Sequence, residues 1–112
     1  MLQNKNIIAV ITAATGDRVV ITQTELKNHA QKHFPNLPLY ILIEFIEKIL
    51  KEPDHILLDP ETNKHLLFYR IDEKKYVVVV IKRTDDGVYF SSIYPTGQDM
   101  RSKHKKFKKV KI

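Results

Sequence analysis

The chain has 112 residues and neither cysteine nor tryptophan among them. Without cysteine it can form no disulfide, no thiolate-ligated metal site and no cysteine nucleophile. Its three glycines, Gly16, Gly87 and Gly97, are too few and too scattered for a P-loop, a G-x-G-x-x-G turn or a G-x-S-x-G elbow. No apolar run approaches the ~18–20 residues that span a bilayer. The stretch after Met1–Lys5 soon meets Thr12 and Asp17, so the h-region of a signal peptide is missing. These absences predict a soluble, cytoplasmic protein with no membrane partner.

Acid is also missing from one place. The chain carries 19 Lys+Arg against 13 Asp+Glu, a net charge of +6. Residues 101–112 hold no acid and seven of the bases: Arg101, Lys103, Lys105, Lys106, Lys108, Lys109 and Lys111. The remaining 12 bases and 13 acids nearly cancel. We therefore read residues 1–100 as one domain and 101–112 as a basic segment. Such a cluster attracts polyanions, nucleic acid first, although a solvated tail would have the same composition.

The body reads as α+β. Ile7–Ile11 and Val19–Ile21 are β-branched runs around a Thr15-Gly16-Asp17 turn. Thr22-Gln23-Thr24-Glu25 fits a capping box, with Leu26, Ala30 and His33 or Phe34 following at helical spacing. Leu39, Leu42, Ile43, Ile46, Ile49 and Leu50 form the apolar stripe of a second helix, with Glu44–Lys48 and Glu47–Lys51 pairs on its other side. Strands follow at 55–58, 66–71, 76–83 and 88–94, with a last one near 107–112. The run Val77–Ile81 does not alternate, which predicts burial on both faces at the sheet centre. The expected architecture is two N-terminal helices packed on a twisted antiparallel meander.

The chemistry-bearing residues are few. His29 and His33 stand at i,i+4, a spacing that suits a two-histidine metal site. Position 30 is Ala rather than the zincin Glu, however, and no third ligand follows, so no metal and no cofactor are expected. One of the two histidines acting as general acid or base is the alternative to a pair with no role. Ser92 and Tyr94, two apart, share a strand face, with Phe90 in line. With Arg70, Lys82 and Arg83 they would make a cationic, hydroxyl-lined patch suited to a phosphate transition state. Read blandly, Tyr94 packs and the serines are solvated.

The order of these pieces resembles a known group. Asn28–Pro35 carries helix histidines before a proline. An apolar helix then ends in Glu52-Pro53-Asp54-His55-Ile56. Leu67-Phe68-Tyr69-Arg70, Tyr76–Lys82 and Tyr89–Thr96 follow. Over residues ~19 to 96 this is similar to the phage and polymorphic-toxin branch of the barnase/EndoU/colicin/RelE-like superfamily of metal-independent ribonucleases. The resemblance implies a ribonuclease fold with its site on the sheet face. Carried over, the site residues are His33 or His29, Arg70, and Ser92 with Tyr94. Family members often place the histidine directly before proline. Here Phe34 intervenes, so His29 and His33 remain alternatives, and Ser92 stands where threonine is frequent. The implied partners are RNA, contacted by Lys82, Arg83, Arg101, Lys103, Lys105, Lys106, Lys108 and Lys109, and an immunity or antitoxin protein. A non-catalytic RNA- or DNA-binding module and a protein-interaction domain of the same fold are the rival readings.

Overall fold

Gly16 takes a positive φ of 87°, which lets the chain reverse tightly between β1 (Ile7–Thr12) and β2 (Arg18–Thr22). The Ala13 N–H bonds to the Asp17 carbonyl at 2.8 Å across this turn, and the Ala14 N–H to the Leu50 carbonyl at 2.8 Å ties it to a helix end. The fold comes from a computed structural model that describes residues 6–72, 75–96 and 107–110.

After β2 the chain enters helical segment α1, residues 23–33. Thr22 caps it: its Oγ1 accepts from the Glu25 N–H at 3.3 Å. The segment is not a uniform helix. Gln23–Glu25 and Gln31–His33 are α-helical, and Leu26–Ala30 is a π turn, in which the Gln31 N–H reaches the Leu26 carbonyl. This wide turn decides between His33 and Phe34. At ~100° per residue, His33 would share the face of Leu26 in an unbroken α-helix. One extra residue in the turn passes that position to Phe34. Accordingly Leu26 and Ala30 are fully buried, Phe34 packs against the core and His33 is exposed.

Helix α2 (Leu39–Lys51) follows Pro38, which is extended and ends any continuation of α1. Its predicted stripe goes inward: Leu42, Ile46, Ile49 and Leu50 are fully buried. Each such side chain contributes roughly 1.5–3 kcal/mol relative to exposure. Phe34 meets Phe45 edge-on at 5.8 Å, joining the end of α1 to α2. Glu47 pairs with Lys51 at 3.8 Å. The expected Glu44–Lys48 pair is absent among the described residues.

The remaining strands are β3 (His55–Leu58), β4 (His65–Asp72), β5 (Lys75–Thr84), β6 (Gly87–Thr96) and β7 (Lys108–Lys109). The seven-stranded sheet has the order β1-β2-β6-β5-β4-β3-β7. Strands β3 to β6 are the antiparallel meander read from the sequence. The whole sheet, however, is mixed, because β2 joins β6 in parallel through Val19↔Val88 and Val20↔Tyr89. The two helices return the chain as β3, which runs opposite to β2, and three antiparallel reversals from β3 through β4 and β5 then give β6 the direction of β2. β5 is the central strand, with Val77, Val78, Val79 and Ile81 all buried.

The two sheet faces differ. Both helices cover one, where Ile21, Ile56, Leu66, Phe68, Val79, Ile81, Phe90 and Ile93 join the helix residues in the main core. On the other, Leu57, Leu67, Tyr69 and Val78 form a second cluster, with Tyr76, Val80, Tyr94 and Phe107 packed on it.

Candidate functional site

Register places the side chains of this second face in rows across the strands. His55, Tyr69, Val78 and Tyr94 form one row. Leu57, Leu67, Val80 and Ser92 form the next. Tyr76 faces Thr96 beyond Tyr94. β2 ends at Thr22, so α1 takes over along this part of β6, and the His33 ring comes to 6.3 Å from the Tyr94 ring, inclined at 54°. An exposed imidazole, a half-buried phenol and the Ser92 hydroxyl therefore gather at one edge of the second face. Burial pushes the Tyr94 phenol above its ordinary value, so its O–H stays a proton donor at neutral pH.

A bulge in β6 shapes this site. Ile81 pairs with Phe90 and Val80 with Ser92, leaving Ser91 as the extra residue. Phe90 is therefore not in line with Ser92 and Tyr94, as simple alternation suggested. It is 1% exposed in the main core, on the opposite face.

Other expected site residues lie elsewhere. His29 binds Glu25 at 2.9 Å on the α1 surface, which also engages the carboxylate expected to complete the capping box. Arg70 pairs with Val77, whose side chain belongs to the main core, so Arg70 is on the helix side and outside the His33–Tyr94 constellation. Its Nη1 donates to the Glu52 carbonyl and lies 3.9 Å from the Glu52 carboxylate. Arg70 also lines a shallow cavity of about 220 Å³ with Phe45, Lys48, Ile71 and Val77.

Arg83, expected to contact RNA, is instead tied to Asp17 by two hydrogen bonds, Nε to Oδ1 at 3.0 Å and Nη2 to Oδ2 at 2.8 Å. Burial alone would raise the Asp17 carboxyl. The bonds from Arg83 and Thr15, with the charge of Arg83, outweigh it and hold the group below the usual carboxylate range. Lys82 is exposed on the second face, as its pairing with His65 and Tyr89 requires. Lys108 and Lys109 are exposed along β7 at the sheet edge. Arg101, Lys103, Lys105 and Lys106 lie outside the described residues.

Among the described residues, no group of three or more His, Cys, Asp or Glu could hold a metal ion, and no helix is long and apolar enough to cross a membrane. The side chains that gather can instead move a proton and donate hydrogen bonds to an oxyanion. Sequence reading missed Tyr76 and Thr96, which only the β5–β6 pairing brings beside Tyr94. A family model described as "phage-Barnase-EndoU-ColicinE5/D-RelE like nuclease2" matches residues 2–112. No curated protein and no solved structure matches the chain.

Proposed function

Because the chain belongs to this phage barnase–EndoU–colicin E5/D–RelE-like nuclease family, we propose that it is a metal-independent endoribonuclease whose site lies at the His33–Tyr94–Ser92 edge of the second sheet face. The observation that carries the reading is the approach of the His33 ring to Tyr94, which sets an imidazole beside a hydroxyl donor on the strand that also carries Ser92. In the reaction, the ribose 2′-oxygen attacks the adjacent phosphorus and the 5′-oxygen leaves. His33 takes the 2′-OH proton or gives one to the leaving 5′-oxygen, water serves the other transfer, and a 2′,3′-cyclic phosphate and a 5′-hydroxyl end result. The Ser92 and Tyr94 hydroxyls orient the phosphate and donate to its oxygens as charge builds. Lys82 adds positive potential on the same face and draws the RNA in. An inhibitor partner and a toxin or phage-associated role in the cytoplasm belong to the same reading, because an unchecked endoribonuclease would degrade the RNA of the cell that holds it.

The test is cleavage of a single-stranded RNA by purified protein in EDTA. His33→Ala is expected to cost at least ~100-fold, the usual loss for a general acid–base group, with an unchanged melt. His29→Ala is expected to cut at the parental rate. Equal rates for the parent and both variants would refute the His33 assignment. Activity lost to chelator and restored by zinc would refute metal independence.

A further inference from the structure

Away from His33, the same sheet face carries a second arrangement, of which the nuclease reading uses only Lys82. β2, β6, β5 and β4 are neighbours in the sheet. Register aligns Tyr89 of β6 with Lys82 of β5, and Lys82 with His65 of β4. On the other side, Val20 of β2 pairs with Tyr89. Arg18, two residues before Val20, shares its face, because Val19 and Ile21 point into the main core. Arg18, Tyr89, Lys82 and His65 thus form a stripe across four strands set ~4.8 Å apart, an aromatic ring flanked by cations.

Each member is poised for a ligand. Arg18 and Lys82 are exposed and form no ion pair with any described residue. The Tyr89 ring lies over Gly87, where an added Cβ would touch it at 3.7–3.8 Å, so the turn backbone supports the ring. The His65 Nδ1 is 3.1 Å from the Thr62 hydroxyl, which fixes the imidazole and leaves Nε2 for another partner. The Ser91 bulge makes the stripe continuous with the site. Tyr89 and Tyr94 are five residues apart and would face opposite sides of a regular strand, whereas the extra residue turns both to one face.

We propose that this stripe is a subsite for single-stranded RNA, in which one base stacks on Tyr89 while Lys82 and Arg18 bind the flanking phosphates. The proposal rests on the nuclease reading for its substrate. At ~3.3 Å per residue, Tyr89 sits about 15 Å along β6 from Tyr94. That distance is spanned by an oligonucleotide of several residues and not by a dinucleotide. Stacking on an aromatic side chain tolerates any base, so the subsite selects for single strands rather than for sequence.

The experiment measures fluorescence anisotropy of a labelled single-stranded RNA oligonucleotide in EDTA. The protein carries His33→Ala so that cleavage does not intervene. In that background, Tyr89→Leu is expected to weaken binding about tenfold, Tyr89→Phe to bind like the parent, and Lys82→Gln or Arg18→Gln to weaken binding and flatten its salt dependence. Lys51→Gln, on the helix side, is the unaffected control. Cleavage by the parent protein is run alongside, and the advantage of a longer oligonucleotide over a dinucleotide is expected to shrink in Tyr89→Leu. Parental affinity in Tyr89→Leu would overturn the subsite. So would an equal loss toward double-stranded RNA, since the contribution of the ring would then not depend on an unpaired base. A parent protein that cuts no RNA would refute the nuclease reading, while the anisotropy result would still decide the subsite.

Discussion

Arg83 looks from the sequence like a phosphate contact and in the fold is a clamp, and the two roles predict opposite results for Arg83→Ala. The guanidinium is 41% exposed, whereas the Asp17 carboxylate is 14% exposed. Solvent screens an ion pair with one partner this open, so its own net contribution is small. The larger cost is a mostly buried carboxylate left, among the described residues, with Thr15 alone as a side-chain partner. Together these give a loss of about 1.5–2 kcal/mol. For a domain of this size that is a fall in Tm of about 6–9 °C. Asp17→Asn should cost somewhat less, and the double variant should show coupling of about 1 kcal/mol in a mutant cycle. RNA affinity of folded Arg83→Ala should stay at the parental value. The assays are thermal melts of the three variants and anisotropy below their melting range. An unchanged Tm with weakened RNA binding would refute the clamp and return Arg83 to the nucleic-acid surface.

The same pair sets part of the acid limb of stability. The folded Asp17 carboxyl is held below its unfolded value, so its stabilisation is present above that value, about pH 4, and is lost as pH falls through the folded one. Denaturant melts from pH 6 to pH 2 should show a shallower acid limb in Asp17→Asn than in the parent. Ile46→Ala, at a fully buried position of α2, should cost about 2–5 kcal/mol by denaturant titration. Replacing Lys108 and Lys109 with glutamine should reduce the slope of log K against log salt for single-stranded RNA by about 1.4, one phosphate contact for each lysine. Deleting Ser91 removes the bulge yet leaves Val80 opposite Ser92 and Ile81 opposite Phe90, so the variant should remain folded by circular dichroism. Collapse of that variant would count against this β5–β6 register.

Elements whose pattern is local were legible in the sequence. The α2 stripe, the meander and the doubly buried β5 are written in the spacing of apolar residues, and each lies within a few residues of its expected bounds. The features that build the site depend on single insertions or on distant pairing. Nothing in Leu26–Ala30 announces a π turn, so His33 and Phe34 stayed interchangeable until its extra residue put Phe34 in the core. Alternation through Phe90, Ser92 and Tyr94 is broken by Ser91, whose neighbours have no turn chemistry to warn of it. Arg70 follows an aromatic pair on a strand, but only the partnership of Val77 with the core shows which way it faces.

The parallel joint between β2 and β6 also bears on how the protein comes into being. Alongside it, the Asp17–Arg83 link closes a loop of 66 residues, and contacts of that sequence separation form late because the chain must first surrender the entropy of the loop. His33 lies on the early side of that joint and Tyr94 on the late side. A growing chain on the ribosome, or a fragment cut in the β5–β6 turn, therefore holds half of the site. The His33–Tyr94 edge is thus assembled only at closure, and a chain still being made carries its two halves apart.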